Sequence, residues 1–186
     1  MQNEGYYQYL FQNVNHIVNQ IKMINNNKLI NNKIIKIIFV CHGNICRSPM
    51  AEFIFKDMIR KQGLEDLFYI ESAAVSTEEI GNSIYPPAKR CLNAHGIPFD
   101  NSKTARQITR ADYSRFDLII CMDRMNLRWL KYIIPDDPEG KVHLMMSYKN
   151  SDRDVADPWY TGDFETTYSD IMEASRALLA EISLSL

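Results

Sequence analysis

The sequence predicts an α/β protein built on a parallel sheet of four strands. Two observations carry that prediction. From Ile34 onward, short apolar runs alternate with segments of helical period, which implies strands lying parallel and joined by right-handed crossovers. The first apolar run also leads directly into the loop Cys41 to Pro49, at the carboxyl end of a strand, where such sheets bind their ligands.

The elements follow in order. Ile34 to Val40 reads as a fully buried strand. Pro49 opens the first helix with Ser48 as its N-cap, since the fixed φ of proline suits the first helical position and its missing N–H is not needed there. Ala51, Ile54, Phe55 and Met58 form the apolar face of that helix, and Gly63 ends it. Phe68 to Ala74 is the second strand, Pro86 to His95 a helix closed by Gly96, Thr109 to Phe116 a short helix with a capping signature, and Leu118 to Met122 the third strand. Asp123 caps a further helix whose inner face carries Leu127, Leu130, Ile133 and Ile134, and Pro135 stops it. Val142 to Met146 supplies the fourth strand. A long closing helix is marked by Phe164, Tyr168, Ile171, Met172, Leu178, Leu179 and Ile182.

Residues 1–33 stand apart as an Asn-rich N-terminal extension containing nine asparagines. Leu10, Val14, Ile17, Val18, Ile21 and Ile24 recur at helical spacing, so an amphipathic helix is expected, followed by a polar linker at Asn25–Asn27 and Asn31–Asn32. An accessory helix packed on the domain, a disordered leader and a helix docking an unknown partner are the readings open for it.

Charge and cysteine usage narrow the setting. A formal charge of −2 over 186 residues gives no long-range attraction for nucleic acid or acidic membranes. Cys41, Cys46, Cys91 and Cys121 lack the spacing of a secreted disulfide framework, and two of them share one loop, so a reducing, cytoplasmic compartment is expected. No stretch approaches the about 18 apolar residues of a membrane span, and the N-terminus lacks the charged start, apolar run and small-residue cleavage site of a signal peptide.

The chemistry concentrates in Cys41-His42-Gly43-Asn44-Ile45-Cys46-Arg47-Ser48-Pro49. A Cys-x5-Arg spacing lets the backbone between curl until its N–H groups converge on an anion, with Gly43 and Asn44 supplying conformations most residues avoid. A helix N-terminus, a guanidinium and the Ser48 hydroxyl all favour the Cys41 sulfur in its charged, nucleophilic form. Arg47 offers a planar fork that matches two phosphate oxygens. Hydrolysis through a cysteine further needs a proton donor opposite the loop. Asp157 is the strongest candidate, since Pro158 stiffens its loop and Trp159 and Tyr160 supply pocket walls suited to a flat ring; Asp-Pro is also a common turn opener that does no chemistry.

Val40 to Pro49 reads Val-Cys-x-Gly-Asn-x-Cys-Arg-Ser-Pro, and it resembles the signature of the low-molecular-weight protein tyrosine phosphatases. Further segments similar to that family follow in register: Ser72-Ala73-Ala74-Val75-Ser76, Ala105-Arg106-Gln107-Ile108, Cys121-Met122-Asp123 with Asn126, and Asp157-Pro158-Trp159-Tyr160. The resemblance runs from about Ile34 to the C-terminus, leaves out residues 1–33, and marks 34–186 as a phosphatase domain. It implies a three-layer α/β/α fold and hydrolysis of phosphotyrosine in a protein or peptide through a phosphocysteine intermediate, with neither cofactor nor metal. By the same resemblance Cys41 is the nucleophile, Arg47 binds the phosphate and Asp157 is the acid, while His42, Gly43, Asn44, Ile45, Cys46 and Ser48 complete the phosphate loop.

Several residues carry a second reading. His42 beside the nucleophile suggests a Cys–His dyad, yet an immediate neighbour in an anion-binding loop points outward and is read as loop surface. Asn44 is read as a brace, hydrogen bonded to Ser72. Cys46 has no further cysteine or histidine nearby to complete a metal site with Cys41, and is read as a redox partner that traps oxidised Cys41 as a disulfide. Cys91 and Cys121 are read as small core residues. Asp123 is read as a helix cap or a support of the site rather than a catalyst, and Arg106 as a brace rather than a substrate contact. Ile45 resembles the tyrosine-directed members, where related protein-arginine phosphatases carry threonine. Glu78 departs from the family by standing where some members place a pocket-wall tryptophan, and Asn101-Ser102-Lys103 departs where some carry a supporting histidine. A thiol-relay arsenate reductase would need a cysteine beyond Cys121, and a silent phosphate-binding module would lack catalytic parts that are present here.

Overall fold

The protein is described here over residues 34–185 by a computed structural model. Four strands, β1 (Ile35–Cys41), β2 (Phe68–Ala74), β3 (Leu118–Cys121) and β4 (Val142–Leu144), form one sheet in the order β2-β1-β3-β4 with every pairing parallel. Six helices follow in chain order: α1 (Arg47–Lys61), α2 (Pro86–Ala94), α3 (Arg110–Arg115), α4 (Arg124–Ile133), α5 (Pro158–Thr161) and α6 (Phe164–Ser185).

The period of two along a strand explains the three layers. Ile37, Phe39 and Cys41 of β1 face one side, where α1, α2 and α6 cover them, while Ile38 and Val40 face the other and meet α3 and α4. Phe39, Phe55 and Phe116 are fully buried, each worth about 2 kcal/mol in area removed from water. Because β1 is central, its carboxyl end opens where neighbouring strands leave a crevice, with Val40 paired to both Ala73 and Cys121.

Most expected elements appear within a residue or two, and their signals act as read. Asp123 accepts from the Asn126 N–H at the start of α4, and Asp112 accepts from the Thr109 N–H at 2.8 Å across the start of α3. Two readings are corrected. Ser48 is not the N-cap of α1: Cys46 occupies that position without a side-chain cap, and Pro49 is the third helical residue. The helix tolerates this because the N–H groups of its first turn have no intrahelical partner, so a proline there removes nothing. The fourth strand ends at Leu144, since Met145 to Lys149 winds into a 3₁₀ turn that buries Met145 and Met146. The helix and linker expected before Ile34 lie outside the described residues.

Candidate active site

Cys41 ends β1 and the chain turns at once into the loop that leads to α1. Asn44 makes the turn possible, with φ of 58° in the left-handed region that asparagine tolerates better than most residues. Gly43, expected to share that role, keeps a negative φ; its lack of a side chain matters for space, because a Cβ there would lie 3.0 Å from Cγ of Glu79. The turn brings the Asn44 N–H to 3.3 Å from Cys41 Sγ, and the start of α1 brings Ser48 Oγ to 3.0 Å. Freed from capping, the Ser48 hydroxyl accepts from Asn44 Nδ2 at 2.8 Å, which leaves its own proton to serve the sulfur.

The loop is braced from behind. The second Nδ2 proton of Asn44 goes to Ser72 Oγ at 2.8 Å, as expected, and Ser72 in turn donates to the buried Glu52 carboxylate at 2.6 Å. The Arg106 N–H donates to Asn44 Oδ1 at 3.2 Å, so Arg106 supports the loop through its backbone. Its side chain turns away to pair with Glu71 and Asp112. Lys103 supplies support that the sequence did not disclose: its Nζ donates to the Ser72 carbonyl at 3.1 Å and stands 3.4 Å from Glu52.

Arg47 is the electrostatic centre. It is 4 % exposed, and its two terminal nitrogens reach different carboxylates, Nη1 to Asp123 Oδ2 and Nη2 to Asp157 Oδ2, both at 2.5 Å. Burial works against the charge, but Cys41, Asp157 and Asp123 outweigh it and hold the guanidinium above its ordinary range. Asp157 is fixed by its own position as N-cap of α5, where Oδ1 accepts from the Trp159 N–H at 3.0 Å. Burial first, then Cys41 and Asp157, push the Cys46 thiol up to about 12, so it stays protonated beside the nucleophile candidate. All four cysteines are unpaired.

These groups share a cavity of about 360 Å³. Cys41, Gly43, Ile45, Cys46, Arg47 and Asp157 form its floor and sides, while Asn44 and Ser48 stand behind the loop as support. Trp159 packs on Tyr85, ring centroids 5.4 Å apart, and is half exposed; Tyr160 is 86 % exposed and stands on the rim. His42 is half-exposed, as a loop-surface residue should be, but instead of turning away it lines the cavity, where it pairs with Glu78 at 2.9 Å; the departure at Glu78 makes that wall acidic, with Glu79 beside it. The lining also includes two residues missed in the sequence, Met125 and Trp129 on α4. Their signal was present: they sit one turn apart, opposite the face that Leu127 and Leu130 bury. Such an arrangement holds an anion under a flat aromatic group, with a sulfur below it and a carboxyl beside it.

The family model described as low molecular weight phosphotyrosine protein phosphatase matches residues 36–185. The chain belongs to that family. The human low molecular weight phosphotyrosine protein phosphatase is 40 % identical over 148 residues, 77 % of this chain and 92 % of its own length. The crystal structure of YfkJ from Bacillus subtilis matches with a TM-score of 0.79 at 38 % identity, covering 84 % of this chain and 99 % of that one. The crystal structure of the Drosophila arginine phosphatase matches with a TM-score of 0.72 at 30 % identity, over 80 % and 98 % of the two chains. This low-molecular-weight phosphatase is thus a cysteine-dependent hydrolase acting on phosphoproteins. No helix among its described residues is long and apolar enough to cross a membrane.

Proposed function

We propose that the chain hydrolyses phosphotyrosine in proteins or peptides, with Cys41 as nucleophile, Arg47 and the loop amides as the phosphate cradle, and Asp157 as general acid and then general base. The observation that carries this reading is the Arg47 fork: one guanidinium, on the loop that holds the Cys41 sulfur, is bonded directly to the carboxyl group needed on the other side of the substrate. Sulfur attacks phosphorus in line with the aryl oxygen, the S–P bond forms as the P–O bond breaks, and the Asp157 proton passes to the departing phenolate. Water then attacks the phosphocysteine, its proton returns to Asp157, and Ser48 donates to the sulfur as it leaves. Arg47 supplies the positive charge, so these steps require neither a metal nor a cofactor.

The buried Ile45 in the floor and the aromatic residues Trp159, Tyr160 and Trp129 around the mouth support a flat phenolic substrate over phosphoarginine or phosphoserine. Four unpaired cysteines favour the cytoplasm. The test compares phosphotyrosine, phosphoarginine and phosphoserine peptides in a chelating buffer and traps the acid-quenched phosphoenzyme. The expected result is preferential phosphotyrosine turnover with phosphate on Cys41, lost in Cys41→Ser. In Asp157→Asn, turnover of a phenyl ester should fall about 10²-fold or more while an activated aryl ester falls much less; equal losses would remove Asp157 from the acid role.

A further inference from the structure

Behind the acid-bearing segment, α2 and α6 meet at three side chains that the phosphatase chemistry does not use. Cys91 lies on α2, His95 follows at its C-terminal cap one turn later on the same face, and Glu165 lies in the first turn of α6. His95 Nε2 is 2.7 Å from Glu165 Oε2, and Cys91 Sγ is 3.6 Å from Glu165 Oε1 and 3.5 Å from the Phe164 carbonyl oxygen. One ligating atom from each residue falls within 4.8 Å of the other two. Around a tetrahedral zinc ion, neighbouring donors stand about 3.5 Å apart. The sulfur lies near that spacing from Oε1, the imidazole must open by less than about 1 Å from Oε2, and Glu165 turns to present one of the two oxygens to the ion. The His95 ring lies flat on Tyr168, 3.6 Å between centroids and 9° between planes, which holds its edge toward the cluster.

A strap between the two helices would need only the His95–Glu165 pair. The structure adds a thiol that is 5 % exposed and aimed at the same carboxylate. Burial first, then Glu165, push that thiol up to about 12, so without a cation it remains S–H and donates to Glu165. A cavity of about 480 Å³ opens beside Cys91 and Glu165, leaving room for water at a fourth position, and its far wall includes Pro158 and Trp159 next to Asp157.

We propose that Cys91, His95 and Glu165 form a binding site for a divalent cation of the zinc type, tying α2 to the first turn of α6 behind the catalytic cavity. One thiolate, one imidazole and one carboxylate suit zinc or cobalt and disfavour magnesium and calcium, which take oxygen donors. Binding breaks the Cys91 S–H bond, forms a sulfur–metal bond and delivers the proton to solvent with no change of oxidation state.

The test uses the full 186-residue chain carrying Cys41→Ser and Cys46→Ser, which removes the thiols of the catalytic loop, titrated with Co²⁺ alone. The expected result is one cobalt per chain, a thiolate-to-cobalt absorption with the visible bands of a tetrahedral ion, a raised melting temperature, and displacement by Zn²⁺ but not Mg²⁺. Adding Cys91→Ser removes the thiolate absorption, and adding His95→Gln weakens binding more than about tenfold. Absence of the absorption with Cys91 in place, its survival in Cys91→Ser, or an undiminished affinity in His95→Gln overturns the site. Should Cys91→Ser melt early, the half-exposed His95→Gln decides the question.

Discussion

Asn44 offers the sharpest test of how the phosphate loop is held, because three of its features can be separated by substitution. Its amide donates to Ser48 and Ser72, its carbonyl accepts from the Arg106 N–H, and its backbone sits at φ 58°. The two hydroxyls lose little when the donor disappears, since each keeps a partner for its own proton, Ser72 on Glu52 and Ser48 on Cys41 or the Ala73 carbonyl. The Arg106 amide loses its acceptor, which costs about 1 to 2 kcal/mol. Alanine adds about 1 kcal/mol for the left-handed backbone, a term that glycine escapes. Asn44→Ala is therefore expected to lose about 2 to 3 kcal/mol in urea unfolding and Asn44→Gly about 1 to 2 kcal/mol. Both should lower kcat more than 10-fold, because the backbone N–H of residue 44, which donates to the Cys41 sulfur, is aimed by the turn that the lost side-chain braces hold in place. Equal stability of the Ala and Gly variants, or wild-type kcat in either, would refute the account of the loop as a braced left-handed turn.

Three further outcomes follow from the geometry. Trp129→Ala should raise KM for phosphotyrosyl peptides about tenfold while leaving a small aryl phosphate unchanged, since burying the exposed half of the indole is worth about 1 to 2 kcal/mol; an equal effect on both substrates would put Trp129 outside peptide recognition. Peroxide should inactivate the enzyme reversibly through a Cys41–Cys46 disulfide, and a Cys46→Ser protein that recovers fully with a dithiol would exclude Cys46 as the partner. Burial acts to raise the Asp112 and Glu71 carboxyls, yet Arg106, with Thr109 on the first and Tyr69 and Arg115 on the second, holds both below their ordinary range. Their native forms therefore bind protons less readily than the unfolded chain, so their stabilisation is complete above the unfolded values near about 4 and is lost as pH falls through the lower folded values. Urea midpoints measured from pH 7 down to 3 should fall less steeply in Arg106→Gln than in the parent, and an unchanged slope would contradict this linkage.

What the sequence disclosed and what it withheld follow from the range of the forces involved. The strands, the Thr109 and Asp123 caps and the stop at Pro135 depend on residues close in sequence, so periodicity and capping chemistry reveal them. The Asn44–Ser72 bond spans distant segments, yet a left-handed loop residue with an amide to satisfy makes a brace predictable. Ser48 was misread because a serine before a proline is a good local cap, whereas here the hydroxyl turns to a sulfur seven residues earlier. Lys103 was invisible as support because its target is a carbonyl on β2, and nothing in Asn101-Ser102-Lys103 hints at that approach. Met125 and Trp129 lay in plain view as an apolar pair on the wrong face of α4, and only the placement of that helix beside the loop gives them a role.

The unequal anchoring of the two carboxylates on Arg47 gives the site its order of events. Asp123 is held by the α4 amide at 2.5 Å and its side chain is 15 % exposed, whereas Asp157 accepts from the Trp159 amide at the longer 3.0 Å and its side chain is 27 % exposed on a helix of four residues at the cavity mouth. A phosphate dianion entering the loop competes for the Arg47 fork, and it displaces the less firmly held partner. Asp123 then keeps the guanidinium oriented while Asp157 is released toward the ester oxygen. In the empty enzyme Asp157 neutralises a buried cation; in the proposed mechanism it serves as proton donor once substrate has taken its place on Arg47. On this reading Asp123→Asn should weaken phosphate binding and misalign Arg47 while sparing the leaving-group dependence, because the substituted amide keeps its bulk but surrenders the charge that pins the fork.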